Sequence, residues 1–150
     1  MKIRTYFFVH FTLFIFTVFI SLYFGSLYTK GDQYFYNMWF EEISSLNLYY
    51  GYSYYASQIN YFEFIHFLVT WYGSLVFDKL TLHMFVNVLF ILLLVEVFKK
   101  LNFNPLLALI IIASNFYVPV LLLAAERLKF GFMFLFLFVL FDAYNKKIYM

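Results

Sequence analysis

The chain has 150 residues, 65% of them hydrophobic and 12% charged, with a mean hydropathy of +0.83. A soluble domain is about half apolar and about a quarter charged, so the composition excludes an ordinary water-soluble globule and points to an integral membrane protein. A net charge of +2 is too small to suggest a nucleic-acid binder, and the lack of cysteine excludes disulfides, thiolate metal sites and cysteine nucleophiles.

In chain order, the first predicted element is an apolar run over residues 6–28, preceded by Lys2 and Arg4. The run is nearer 20 residues than the roughly 7–15 of a signal-peptide core, and FGSLY is a poor cleavage site. It predicts a retained anchor with a cytoplasmic amino terminus. Directly after it comes GDQYFYNMWFEE, in which Tyr36 follows Asp32 by four residues and would share its helix face. Asp32 is a candidate carboxylate for binding or deprotonating a polar substrate at the membrane surface; it would equally serve as the cap of a short interfacial helix. The Tyr-rich run LNLYYGYSYYASQINY suits an interfacial aromatic belt. It would also serve as a floor for sugar rings.

Residues 62–77 are apolar but short for a span, and contain Glu63, His66 and Thr70. An ionisable residue at the edge of such a segment is costly, so Glu63 is a candidate functional group, with His66 three residues on as a pairing partner. Further spans are predicted over 80–98, 105–125 and 128–144, each long enough to cross about 30 Å of hydrocarbon. Pro105 fits a first helical turn, and Pro119 predicts a kink within the third span. His83 and Asn87 lie on one helix face and suit interhelical hydrogen bonding. Glu96 has helical ion-pair spacing to Lys99 and Lys100. Ser114 and Asn115 are placed to satisfy backbone groups freed by Pro119, and Asp142 to pair with Lys146. The three histidines, at 10, 66 and 83, fall on separate segments without ligand spacing, so neither a metal nor another cofactor is expected.

Basic residues decide the topology. If 62–77 crosses, Lys2, Arg4, Lys79, Arg127 and Lys129 lie inside and Lys30, Lys99, Lys100, Lys146 and Lys147 outside, five against five. If it lies in the outer interface or re-enters, Lys2, Arg4, Lys99, Lys100, Lys146 and Lys147 lie inside, six against four. The second arrangement has the sign expected of cytoplasmic loops. The expected fold is therefore an all-α polytopic transmembrane helix bundle, one domain over 1–150. It has about four spans, plus an interfacial or re-entrant helix after the first span, with both termini inside. This topology gathers Asp32, Glu63, Arg127 and Lys129 at the outer face. There Arg127 in AAERLKF presents a planar fork suited to phosphate or carboxylate, although a basic residue at a helix end also snorkels as a plain anchor.

The order of these features resembles a known family. A basic start and one span lead to Asp-x-x-x-Tyr (Asp32, Tyr36). An aromatic loop follows, then Glu63 in FEFIHFLVTWYGSLVF, a span ending in FKKLN, another span, and AAERLKFGFMFLF. The pattern resembles the amino-terminal portion of bacterial surface-polysaccharide polymerases, the Wzy-like and EpsG-like multi-span proteins. Phe64 stands where that family often has Pro, and family members have many more spans, so the chain corresponds to the first part of a larger architecture. The resemblance implies transfer of a polyprenyl-diphosphate-linked glycan onto a lipid-linked repeat unit at the outer face of the inner membrane. It implies catalytic roles for Asp32, Glu63 and Arg127 and substrate contacts from Tyr36, His66, Glu126 and Lys129. Membrane lipids, the lipid-linked glycan and a further membrane protein are the expected partners; nucleic acid is not. Two other readings remain open: a polyprenyl-phosphate-dependent glycosyltransferase, and a small non-catalytic membrane subunit.

Overall fold

The computed structural model describes residues 2–30, 32–59 and 63–148, without the side chains at 2–3, 32, 59 and 143–148. Every regular element among the described residues is helical. The helices are α1 (Lys2–Phe19), continued through a π-helical turn (Ile20–Phe24) into α2 (Gly25–Leu27); α3 (Asp32–Ile43); α4 (Leu48–Ile59); α5 (Phe64–Ser74); α6 (Lys79–Lys100); α7 (Pro105–Ser114); α8 (Tyr117–Leu123); and α9 (Glu126–Ile148).

Two of these runs, Arg4–Leu27 and Lys79–Lys100, are long and apolar enough to cross a membrane, and the bent pair α7–α8 makes a third if it is one broken span. The chain is thus a helical membrane protein by length and composition. α9 has 23 residues, and its last side chains fall outside the described residues, as does the expected pairing of Asp142 with Lys146. α5 has 11 residues, about 16 Å at 1.5 Å per residue, roughly half the hydrocarbon thickness.

The break between α7 and α8 is sharper than the kink expected from Pro119. The two helices meet at 66°. Pro119 has no N–H to offer the Asn115 carbonyl, so the first helix ends at Ser114 and a second begins at Tyr117. Asn115 manages the junction: its backbone carbonyl accepts from Val118 N–H at 3.1 Å, and its side-chain oxygen from Tyr117 N–H at 2.9 Å.

α6 is the central element and packs against α1 and α9. Its partners fix the directions. Tyr6 donates to the Phe103 carbonyl at 2.7 Å, and His10 lies 3.1 Å from Glu96, which Lys99 also meets at 2.9 Å. At the other end, Ser21 meets Asn87. α1 and α6 are therefore antiparallel, while Phe90 against Phe136 sets α9 parallel to α6. The bundle core is Val9, Leu13, Phe90, Ile91, Ile112 and Leu122. A second, aromatic core of Tyr36, Trp39, Ile43, Tyr55 and Phe67 holds α3, α4 and α5 together. The Tyr-rich run thus divides between an inward face, Tyr55, and an outward one, Tyr49 and Tyr50. The two cores adjoin at the end of the bundle where α6 and α9 begin.

Asp78 starts α6 there. Its carboxylate accepts from Thr81 N–H at 2.9 Å and Thr81 O–H at 2.6 Å, and these hydrogen bonds hold it below the usual carboxylate range. Asp78→Ala is expected to lower stability in detergent by about 1 kcal/mol, the usual worth of an N-cap. Because the folded carboxyl is the stronger acid, this contribution is complete above the unfolded value near pH 4 and fades as pH falls through the folded one. Melting curves of the two proteins that stay equally far apart down to pH 2 would contradict this account.

Candidate functional site

A buried ionic cluster joins the two cores, with Glu126 at its centre. Glu126 opens α9 and is only 8% exposed. One carboxylate oxygen meets His83 Nδ1 at 2.9 Å and Lys79 Nζ at 3.4 Å; the other faces His66 Nε2 at 3.8 Å. Three helices thus converge on one carboxylate: α5 brings His66, α6 brings Lys79 and His83, and α9 brings Glu126 itself. α3 joins through Gln33, whose Oε1 accepts from Lys79 at 2.8 Å and whose Nε2 donates to the Leu123 carbonyl at 3.0 Å.

Lys129 lies one turn further along α9 and is 1% exposed. A buried ammonium requires acceptors for its protons. It donates to Asn87 Oδ1, lies 3.2 Å from His83 Nε2, and reaches the Leu122 carbonyl at 3.4 Å. Asn87 passes the network on, donating to Ser21 Oγ at 2.8 Å and to the Leu122 carbonyl at 2.9 Å. Leu122 offers this carbonyl because it belongs to the last turn of α8, where the helix has no donor for it. The π-helical turn in the first span carries Ser21, and a widened turn of this kind often marks a functional stretch.

On the α4 side, Tyr55 is fully buried and its hydroxyl lies 2.8 Å from His66 Nδ1. Burial pushes the Tyr55 phenol up, so the hydroxyl stays protonated beside His66 Nδ1, while His66 Nε2 faces Glu126. The His66 ring is boxed by Tyr36, Trp39 and Phe130, with ring centres 5.3–6.0 Å away.

Two openings flank the cluster. One is a cleft of ≈ 450 Å³ lined by Tyr36, Glu63, Glu126 and Arg127, with a floor of small residues including Ala124 and Ala125. Arg127 Nη1 is 3.6 Å from Glu63 Oε1, and both side chains are about one-third exposed. The other, on the far side of Lys79 and His83, is a cavity of ≈ 310 Å³ between the end of the first span, α3 and the start of α6.

Of the residues singled out by sequence, Tyr36, Glu63, Glu126 and Arg127 share one cleft. His66 stands behind Glu126. Lys129 does not join Arg127 as expected: two residues apart on a helix, their side chains point to opposite faces, and Lys129 is turned inward. Asp32 begins α3, one residue before Gln33 of the cluster; its side chain lies outside the described residues. Lys79 and Gln33 were missed, and His83 with Asn87 was expected only as interhelical glue. No group of three or more His, Cys, Asp or Glu arranged to hold a metal occurs among the described residues. Comparisons with protein-family models, curated proteins and solved structures return no match. Fold and site together define a helical membrane protein with a buried carboxylate–histidine–lysine cluster and an arginine-bearing cleft at one end.

Proposed function

We propose that the chain acts in a surface-polysaccharide polymerase of the bacterial inner membrane. α1, α6, the bent α7–α8 pair and α9 form four crossings, both termini lie inside, and the ionic end faces out. The observation that carries the reading is the cleft in which Glu63 and Arg127 face each other at 3.6 Å beside Tyr36. Acid and guanidinium come together from segments 64 residues apart in the chain (127 minus 63), as handling of a charged, lipid-borne sugar requires.

The chemistry assigned to this cleft is glycosyl transfer. A hydroxyl of the acceptor repeat unit attacks the anomeric carbon of the donor glycan, and the bond from that carbon to the diphosphate oxygen breaks. A carboxylate, Glu63 or Asp32, takes the hydroxyl proton. Arg127 offsets the charge that grows on the departing diphosphate, the point at which a preorganised donor helps most. Tyr36 supplies a ring and a hydroxyl at the cleft wall.

Two measurements test the reading. The chain, reconstituted with any membrane protein that co-purifies, should convert polyprenyl-diphosphate-linked repeat units into a ladder of longer products. Products that never exceed one repeat would overturn it. A cysteine at position 99 should be labelled by a membrane-impermeant maleimide only after the cytoplasmic side is opened. Labelling in intact cells would place the ionic end inside and remove the site from the proposed reaction.

A further inference from the structure

The ≈ 310 Å³ cavity beyond Lys79 and His83 is lined by Ser26, Tyr28, Thr29, Gln33, Asn37 and Asp78, among others. Its volume lies at the small end of ligand pockets, which run from about 300 to 1,000 Å³. Its charges are already paired within the protein. Lys79 is taken up by Gln33 and Glu126, and Asp78 caps α6 through Thr81. Among the described residues no guanidinium lines it, unlike the Arg127 cleft.

What remains is neutral hydrogen-bonding capacity. The Asn37 amide, half-buried in the wall, has no hydrogen-bond partner among the described residues, and neither have the Thr29 and Tyr28 hydroxyls. Gln33 uses one amide proton, on Leu123, and keeps a second. Tyr28, 41% exposed, adds an aromatic face. Amides and hydroxyls that both give and accept, set beside a ring, match a ligand that carries many hydroxyls on a compact apolar frame.

We propose that this cavity is a second binding site, specific for a neutral sugar ring and separate from the Arg127 cleft. The inference rests on the proposed reading of the chain as a glycan-handling protein and adds where an uncharged part of the glycan is held. His83 forms part of its wall and is hydrogen-bonded to Glu126, which lines the opposite cleft. Occupancy on one side is thereby in contact, through two side chains, with the other.

The test uses the full chain in lipid nanodiscs and saturation-transfer NMR. The probes are glucose, galactose and N-acetylglucosamine, with glucose 1-phosphate as the charged comparison. At least one neutral sugar should show transfer, and Asn37→Trp, which fills the cavity from a half-exposed position, should weaken it at least ten-fold. Thr29→Ala should weaken it less, and Arg127→Ala should leave it unchanged. Absence of any neutral-sugar signal, or a signal that survives Asn37→Trp, overturns the second site. The two proposals fail separately: normal chain extension in Arg127→Ala, with sugar binding intact, overturns the cleft, and a missing sugar signal with intact extension overturns the cavity.

Discussion

Glu126→Gln is expected to be strongly destabilising, by about 3–5 kcal/mol, the usual cost of breaking a buried ion pair from one side. The amide keeps the shape of the carboxylate and can still hydrogen-bond His83, so the loss is one of charge. Charge bookkeeping shows why it is large. The cluster holds one carboxylate, Glu126, against two ammonium groups, Lys79 at 3.4 Å and Lys129 one turn away. Removing the acid leaves the fully buried Lys129 and the partly buried Lys79 without a counter-charge. Removing the buried cation has a smaller consequence: Lys129→Met leaves Glu126 paired with Lys79 and strands chiefly Asn87 Oδ1, a penalty of about 1–3 kcal/mol. The double variant should therefore lose less than the sum of the two single losses, with a coupling of about 0.5–3 kcal/mol. Thermal unfolding of the four proteins in one detergent measures this directly. Equal losses for Glu126→Gln and Lys129→Met, added without coupling, would show that the carboxylate does not hold the cluster together.

The same cluster shows what could be read from the chain and what could not. Apolar runs marked the helices because a span must satisfy its own backbone and bury few charges, and residues 6–28, 80–98 and 128–144 lie almost wholly within helical runs of the structure. Within the short 62–77 stretch lies α5 (Phe64–Ser74), whose first residue follows Glu63. The positive-residue count placed Glu63 and Arg127 at one end, and they do meet. Pairings across the bundle were harder. Glu126 finds His83 at 43 residues' separation, and Gln33 finds Leu123 at 90, distances set by how helices cross and not by any local pattern. Half of the signal was nevertheless available. Lys79, His83 and Asn87 recur at intervals of four on α6, Thr17 and Ser21 at the same interval on the first span, and Glu126 and Lys129 at three on α9. Three polar stripes on three apolar helices must face one another or face lipid. Counting Lys79 only as a topogenic charge hid the first stripe. At the break before Pro119 the lost hydrogen bond was legible but the angle was not, because it depends on how the backbone groups there are satisfied, as Tyr117 N–H is by the Asn115 side chain.

Arg127→Ala is expected to abolish glycan chain extension while the protein still inserts and folds. The two halves of that expectation come from different parts of the site. Stability should hardly change, because the Arg127–Glu63 pair is about one-third exposed on both sides, and such pairs contribute about 0–1 kcal/mol. Turnover should fall by about 100-fold or more, the usual effect of deleting a donor aimed at charge that develops in the transition state, leaving products of a single repeat. Arg127→Lys separates charge from geometry. It keeps the positive charge but not the planar fork that meets two phosphate oxygens at once, so it should recover only part of the lost rate. Glu63→Gln should also leave the melting temperature close to wild type, and it discriminates between the two carboxylates. If Glu63 takes the acceptor proton, extension falls with it at every pH; if Asp32 does, Glu63→Gln retains extension and Asp32→Asn loses it. Product-length gels for the four variants, normalised to membrane-inserted protein, decide these points together. Ladders of normal length from Arg127→Ala would remove the guanidinium from the reaction, and with it the reason for placing a diphosphate in this cleft.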